Sequence, residues 1–321
     1  MSAYSGAGAN AERCTVMASI SLYNPDRQAV RMTQPGEIAP GLHFLGSPAI
    51  LVYLIEGRQR ALVDAGMSLM GPMLRRALDP FGGFGALDWH LLTHSHYDHI
   101  GCTPLICRER PGIRVGAHPR VGEIVNRPGA IELIRKLNAS VAGGRLPEDP
   151  DIVEFDGFEV TDPLDDGATI DLDGVTVEAV WAPGHTRDSI AFYLPDQRAI
   201  IPGEAGGVPD FQGRIMPEFL QDIDAYVASL EKMAALEVEW VCLPHNYVLG
   251  GDAARHYFAD SIEATHHFRG LIEQALDRAN GDVDKAIAEL AEALYQPGGQ
   301  PRDAFMINLA AMTRVVARSA T

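Results

Sequence analysis

Short runs of apolar residues, separated by polar turns, recur along the chain from about residue 40 onwards. Apolar runs at 49–55 and 60–64 flank a polar Glu-Gly-Arg-Gln turn, and this pattern predicts a β-hairpin. Residues 67–78 are predicted to form a helix, and the apolar segment 89–92 a short buried strand. This mixture of strands and helices indicates an α/β fold.

The following region is rich in strand signals. Strands are predicted at 168–172, 175–181, 190–194, 199–201 and 240–243, and the last of these is expected to be the final strand. An amphipathic helix is predicted at 223–236.

Beyond residue 250 the pattern becomes helical throughout. Helices are predicted at 253–279, 283–294 and 302–318, with Gly- and Pro-containing breaks between them. We therefore expect an N-terminal extension at 1–35, a mixed α/β domain at 36–250 and a C-terminal helical segment at 251–321.

The composition argues against nucleic acid or membrane as a partner. Apolar residues make up 46% of the chain, so a large core can be buried, and the formal net charge is −17. Such a charge repels phosphate backbones and anionic membranes, and the most apolar stretch, 49–55, is too short to cross a bilayer. The four cysteines form no CxxC pair and the N-terminus shows no signal peptide, so we expect a cytoplasmic protein with reduced thiols.

One short segment concentrates side chains that bind metal ions. Residues 93–99, Thr-His-Ser-His-Tyr-Asp-His, directly follow the short buried strand. At the sharp turn after that strand, His94 and His96 can face one ion while Asp98 and His99 reach a second. Imidazole and carboxylate ligands suit zinc or iron, with manganese as a further candidate. We predict two divalent ions here, and we take His94, His96 and Asp98 as the catalytic residues that act through them.

Three more potential ligands each follow a predicted strand. His185 lies in the loop after 175–181, Glu204 follows 199–201, and His245 follows 240–243. Each residue alone is typical of an ordinary loop. Together with the first cluster, however, they complete the ligand set that a dinuclear site needs.

This ordered set of motifs resembles that of the metallo-β-lactamase superfamily, whose pattern is HxHxDH followed by a distant His, an acidic residue and a final His. Val63-Asp64-Ala65-Gly66 adds to the likeness, which covers residues 40–250. The resemblance implies a four-layer αββα sandwich with the metals at one edge, and the C-terminal helical extension is expected to cover the active site. It also assigns the ligands: His94, His96 and His185 to the first ion; Asp98, His99 and His245 to the second; Glu204 to both; and Asp64 to the orientation of a metal-bound histidine. One departure stands out, because the bridging residue is normally Asp and Glu204 is one methylene longer.

The expected reaction is hydrolysis by a hydroxide that bridges the two ions, since two ions about 3.5–4 Å apart lower the pKa of bound water towards 7. A thiolate leaves easily because its pKa is about 8.5, so thioesters are favoured over amides, whose nitrogen needs a proton. The layout also resembles the 2-aminobenzoylacetyl-CoA thioesterases of alkylquinolone signal biosynthesis. The predicted substrate is therefore an acyl-CoA or β-keto thioester.

Candidate substrate-binding residues carry weaker signals. Tyr247, His266 and Phe211 are placed near the pocket as possible substrate contacts. A basic stretch from Arg108 to Arg145 contains eight Arg and Lys residues against three Glu residues and is compatible with the phosphates of CoA.

Other functions stay open at this stage. The same site is compatible with a lactonase that acts on acyl-homoserine lactones. A second alternative is a metal-containing regulatory or ligand-binding protein of signal biosynthesis, with a regulatory protein as its partner. A homodimer is also compatible with the sequence. A nuclease is disfavoured by the acidic surface, and a β-lactamase proper by the absence of a visible signal peptide.

Overall fold

Two seven-stranded β-sheets form the centre of the structure. The computed structural model describes residues 27–142, 154–295 and 302–319, so most of the predicted N-terminal extension lies outside the described residues. The first sheet has the order β2-β3-β4-β5-β6-β7-β8, and the second has the order β1-β16-β15-β12-β11-β10-β9. A small β13-β14 hairpin stands apart from both.

The strands of the first sheet are β2 (Gly36–Ala39), β3 (Leu42–Ser47), β4 (Ile50–Glu56), β5 (Arg60–Val63), β6 (Trp89–Leu91), β7 (Arg114–Ala117) and β8 (Asp162–Pro163). Those of the second are β1 (Ala29–Met32), β9 (Thr169–Asp171), β10 (Thr176–Trp181), β11 (Ile190–Leu194), β12 (Ala199–Ile201), β15 (Trp240–Cys242) and β16 (Val248–Gly251). The separate hairpin is formed by β13 (Val208–Pro209) and β14 (Ile215–Met216). Strands β5, β6, β7 and β8 run parallel to one another, and β12 runs parallel to β15.

The described α-helices are α1 (Gly71–Leu78), α2 (Tyr97–Ile100), α3 (Thr103–Glu109), α4 (Pro119–Val125), α5 (Pro128–Val141), α6 (Ile223–Ala234), α7 (Asp252–Arg278), α8 (Val283–Leu294) and α9 (Arg302–Ser319). Short 3₁₀ helices occur at Ser68–Met70, Asp79–Phe81, Phe84–Ala86 and Gly203–Gly206. None of the helices within the described ranges has the length and apolar character that a bilayer crossing requires.

Three apolar layers explain the arrangement of helices and sheets. Strand β4 is buried on both faces: Val52 and Leu54 pack towards the helices of the first half, whereas Tyr53 and Ile55 pack towards the second sheet. Burial on both faces accounts for its continuous apolar sequence, which lacks the alternation of a surface strand. The outer face of the second sheet packs on α6 to α9. The predicted αββα sandwich with a helical C-terminal segment is therefore confirmed.

The structure differs from the predicted elements at one end of the second sheet. Residues 240–243 do not form the last strand, because β16 follows and pairs with β15. Strand β1 pairs with β16 in turn, so the sheet includes residues of the segment predicted to be an extension. Both strands are short and have glycine or exposed residues, and their sequences therefore lack the apolar run that marks β4.

The C-terminal helices share a core with the second sheet. Helix α7 begins directly after β16, and its residues Tyr257, Phe258 and Phe268 belong to the same buried cluster as Ile200 and Val241 of the sheet. The predicted boundary at residue 250 therefore marks a change of secondary structure within one continuous core.

Candidate metal centre

Adjacent parallel strands bring Asp64 beside the histidine-rich segment. Strand β5 ends at Val63 and pairs with β6, whose end leads into Thr93. Asp64 has a positive φ of 59°, and its carboxylate accepts hydrogen bonds from the Thr93 backbone N–H at 2.9 Å and from the Thr93 hydroxyl at 2.8 Å. These bonds fix the start of the turn that carries the cluster.

A close approach of two backbone segments positions the short helix α2. The Gly101 N–H donates to the Gly66 carbonyl at 2.7 Å, and a Cβ added at Gly101 would lie 2.4 Å from the backbone nitrogen of Ser68. Glycine is therefore needed at this position. The contact fixes α2, which carries Asp98 and His99, against the loop after β5.

The loop after β10 positions His185 against helix α6. Gly184 has a φ of 129°, and a Cβ there would lie 2.3 Å from the Tyr226 Cα. The Gly184 carbonyl accepts from the backbone N–H groups of Gln221 and Asp222, which lie just before the helix. Close packing of this kind leaves the ligand loop little freedom.

The loop after β15 positions His245 against the turn between β3 and β4. The Leu51 N–H donates to the Pro244 carbonyl at 2.8 Å, and the Asn246 N–H donates to the Pro48 carbonyl at 2.7 Å. His245 therefore follows a strand of the second sheet, while backbone hydrogen bonds to the first sheet fix its loop.

The side chains that the sequence predicted as ligands converge into two adjoining groups. The first group comprises His94, His96, His185 and Glu204, and the second comprises Asp98, His99, His245 and Glu204. Within each group, one ligand atom per residue lies within 4.8 Å of every other.

Glu204 lies between the two groups and presents one carboxylate oxygen to each. Its Oε2 is 2.9 Å from Nε2 of His185 and 3.4 Å from Nε2 of His94. Its Oε1 is 3.3 Å from Nε2 of His245. The extra methylene of Glu therefore still allows the carboxylate to face both groups.

The donor atoms fit a divalent metal ion. With bonds of about 2.0–2.2 Å, two ligands of one tetrahedral zinc ion lie about 3.3 Å apart, and the spacings of 2.9–3.4 Å around Glu204 are close to this. The Nε2 atoms of His94 and His99 are buried and make no hydrogen bond within the described part of the chain. Buried polar atoms are normally satisfied, so two such atoms directed into one cluster indicate a bound ligand.

The charge of the site also favours cations. Burial disfavours the ionised form of Glu204, but the surrounding imidazoles outweigh burial and hold the pKa of this carboxyl well below its usual range. Burial also disfavours the cationic form of His99, yet the adjacent carboxylates, chiefly Asp64, raise its pKa to about 9. Burial and neighbouring imidazoles hold the pKa of His94 well below its usual range. A neutral imidazole among carboxylates is the form that binds a metal ion.

Four of the five histidines in the cluster are oriented by a contact of Nδ1, which leaves Nε2 directed into the site. The Nδ1 contacts are His94 to the Thr93 hydroxyl (3.0 Å), His99 to Asp64 (2.7 Å), His185 to the Glu218 carbonyl (2.8 Å) and His245 to the Ala49 carbonyl (2.7 Å). His96 is the exception, since its Nδ1 faces Glu204 and its side chain is 35% exposed. The site therefore opens to solvent on the His96 side.

The structure gives less support to the three substrate residues suggested by the sequence. Tyr247 is buried and its hydroxyl donates to the Asp210 carbonyl at 3.1 Å, so it is not free to contact an oxyanion. Phe211 is exposed at the turn of the β13-β14 hairpin, and His266 is exposed on α7. Neither belongs to the metal-binding groups.

Sequence reasoning missed two buried carboxylates near the ligands. Asp188 accepts from the Ser95 backbone N–H at 2.9 Å and so joins the ligand loop after β10 to the histidine-rich segment. Glu218 lies behind His185, and burial together with the charges of Glu204 and Asp98 raises its pKa well above the usual range. The position of Asp188, three residues after His185, was a usable signal, whereas nothing local marks Glu218.

The fold and the paired clusters together define the class of metal-binding hydrolases built on a four-layer sandwich. A family model described as the metallo-beta-lactamase superfamily matches residues 46–245. Because this match covers more than half of the chain, the protein belongs to the metallo-beta-lactamase superfamily.

Curated relatives match over part of their length. The lactamase-like protein nscB of Neosartorya fischeri is 27% identical over 212 residues, which is 66% of this chain and 52% of that protein. The ribonuclease Z of a Bradyrhizobium strain is 30% identical over 173 residues, or 52% of each protein. The chain thus spans about half the length of these relatives, and their activities do not transfer to it directly.

Solved structures support the same fold. A metallo-beta-lactamase family protein of Thermus thermophilus superposes with a TM-score of 0.64 at 23% identity, covering 88% of this chain and 96% of that one. The FEZ-1 metallo-beta-lactamase of Legionella gormanii gives a TM-score of 0.55 at 18% identity and covers 76% and 98%. At these identities the likeness concerns the fold alone.

Replacement of Asp64 tests how the cluster is held. Asp64→Ala removes the acceptor for Thr93 and for Nδ1 of His99, so zinc binding by the Asp98 group should weaken about 10- to 100-fold. Competition with a chromogenic chelator, together with metal content, measures this change. Asp88→Ala is the control, because Asp88 caps the opposite end of the same strand pair through the Arg60 N–H. Wild-type affinity in Asp64→Ala, or equal losses in both variants, would contradict this role.

Proposed function

We propose that the chain is a dinuclear-metal hydrolase that cleaves an acyl-CoA or β-keto thioester. The proposal of two metal ions is supported by the position of Glu204, which presents one carboxylate oxygen to each group of histidines. When bound, two divalent ions (zinc or iron, with manganese as an alternative) would supply Lewis acidity and lower the pKa of water towards 7.

The three described cysteines do not compete with water as the nucleophile of the proposed reaction. Burial raises the pKa of Cys102 to about 12 and that of Cys107 to about 11. Burial likewise raises the pKa of the Cys242 thiol. These thiols are therefore protonated at neutral pH and are poor nucleophiles. Water activated at the site is the nucleophile that the remaining chemistry supports.

The thioester assignment rests on the leaving group. A thiolate departs without a proton because its pKa is about 8.5, whereas an amide nitrogen must be protonated as it leaves. The side chains that converge on the site are imidazoles and carboxylates whose lone pairs face the proposed ions. They are suited to holding metal, and this favours a substrate whose leaving group needs no proton.

An aromatic surface near the open side of the site supports a substrate with a large planar group. Trp181, at the end of β10, is 40% exposed and stacks on His118 with ring centroids 5.9 Å apart. The indole N–H of Trp181 donates to the Arg187 carbonyl at 3.3 Å, so the stacked pair packs on the loop after β10, whose Asp188 is hydrogen-bonded to the histidine-rich segment. We propose that the adenine ring of CoA packs on Trp181.

The basic stretch contributes less to this surface than the sequence suggested. Arg114 pairs with Asp162 and lies over the Trp89 ring, Arg135 pairs with Glu154, and Arg127 pairs with Glu123. Arg145 lies outside the described residues. Arg120 lies close to the stacked pair, since its backbone N–H donates to Nδ1 of His118 at 3.2 Å. We therefore assign a contact with the CoA phosphates to Arg120.

Steady-state hydrolysis tests the function directly. We expect metal-dependent turnover of aromatic and β-keto acyl-CoA thioesters well above that of an acyl-homoserine lactone. Chelator-stripped protein and His96→Ala serve as controls and should lose the activity. Faster lactone turnover would replace the thioesterase by a lactonase, and no turnover of either by protein with two bound metals would favour a regulatory or ligand-binding role.

Truncation of Trp181 tests the proposed binding surface. Loss of one base–aromatic stack, about 1–3 kcal/mol, should raise the KM for acyl-CoA thioesters about 5- to 160-fold. The kcat, and the KM for a short thioester that lacks the nucleotide, should stay unchanged in Trp181→Ala. Leu133→Ala is the control, because it also truncates an exposed apolar side chain but lies on α5. Equal effects on long and short thioesters would exclude a nucleotide contact at Trp181.

A further inference from the structure

The loop between β14 and α6 contacts the proposed metal ligand His185 at Nδ1, on the side of the ring away from Glu204. The carbonyl of Glu218 accepts from Nδ1 of His185 at 2.8 Å and also from the Leu220 N–H at 2.9 Å. This bond leaves Nε2 of His185 directed at Glu204. The position of the Glu218 backbone therefore determines how His185 faces the proposed ion.

A residue of the last helix holds the side chain of Glu218. Nδ2 of Asn308, on α9, donates to Oε2 of Glu218 at 2.9 Å, and it is the hydrogen-bond donor that the described residues give this carboxylate. Glu218 is only 2% exposed. The backbone N–H of Glu218 donates to the Tyr226 hydroxyl at a longer distance of 3.3 Å.

We propose that Asn308 is a positioning residue for the metal ion held by His185, and that α9 thereby sets the affinity of this site. The inference rests on the proposed dinuclear site. Asn308 acts through Glu218, since its amide fixes the carboxyl, the carboxyl fixes the loop, and the loop carbonyl orients the imidazole.

Burial explains why the loss of this one hydrogen bond would change the orientation of His185. A buried carboxyl that loses its donor is left as an unsatisfied polar group, and the structure can reduce that cost by moving the group towards water. Such a movement shifts the Glu218 carbonyl away from His185. Contacts that orient metal-bound histidines typically contribute about 10- to 100-fold to metal affinity.

The packing of α9 is independent of this contact. Phe305, Leu309 and Met312 are buried in the cluster that α9 shares with α7 and α8. A truncation among them loosens the helix but leaves the donor of Glu218 in place. General stability and the specific contact can therefore be separated by mutation.

The test is titration of the metal-free full chain with zinc against a chromogenic chelator, with unfolding by denaturant measured in parallel. In Asn308→Ala one of the two zinc-binding steps should weaken about 10-fold or more while the other stays unchanged. Leu309→Ala, a buried truncation on the same helix, should lower stability and keep both zinc affinities.

Two changes at Glu218 identify the contact. Glu218→Gln retains an acceptor for Asn308 and has the shape of the neutral carboxyl, so it should bind zinc as the wild type does. Glu218→Leu should reproduce the loss in Asn308→Ala. The double variant with Asn308→Ala should be no weaker than either single variant, because both remove the same contact.

Each contrary result has a distinct meaning. Unchanged zinc binding in Asn308→Ala, or an equal loss in Leu309→Ala, would overturn the positioning role. If Glu218→Gln lost as much zinc affinity as Glu218→Leu, the charge of Glu218 and not its contact with Asn308 would support zinc binding. This result would also overturn the positioning role. Fewer than two zinc ions in the wild type would instead refute the proposed dinuclear site.

Discussion

The carboxylate of Glu204 is the group on which the rest of the site depends. It is almost fully buried, and imidazoles from three separate loops approach its two oxygens. A buried carboxylate among imidazoles is stable only if positive charge is present, as protons or as metal ions. The fold therefore has to bring these loops to one edge and hold them there, and the hydrogen bonds around the cluster serve that purpose.

The two sheets divide this task between them. The first sheet supplies Asp64 and the histidine-rich segment, because parallel strands β5 and β6 end at the same edge. The second sheet supplies His185, Glu204 and His245 from the loops after β10, β12 and β15. Contacts across the sandwich keep the two sets in register, and one of these is the hydrogen bond from the Tyr53 hydroxyl to the Leu243 carbonyl. Metal binding at this edge would tie the two halves of the fold together.

The sequence predicted which side chains converge at the site, because they follow strands in short motifs of metal-binding residues. It also predicted strands such as β4, whose burial on both faces leaves a continuous apolar run. It did not predict β16 or β1, since short edge strands with glycine and exposed positions carry little pattern. The roles of Glu218 and Asn308 were not predicted, for a different reason. Their contact spans 90 positions, and no local motif records a pairing across that separation.

We propose that Glu204 bridges two ions despite its longer side chain. A crystal structure of the zinc-loaded protein, with anomalous diffraction recorded at the zinc edge, tests it most directly. We predict two ions, with Oε2 of Glu204 on the ion of His94, His96 and His185 and Oε1 on the ion of Asp98, His99 and His245. A single ion, or a Glu204 carboxylate turned away from both ions, would contradict it.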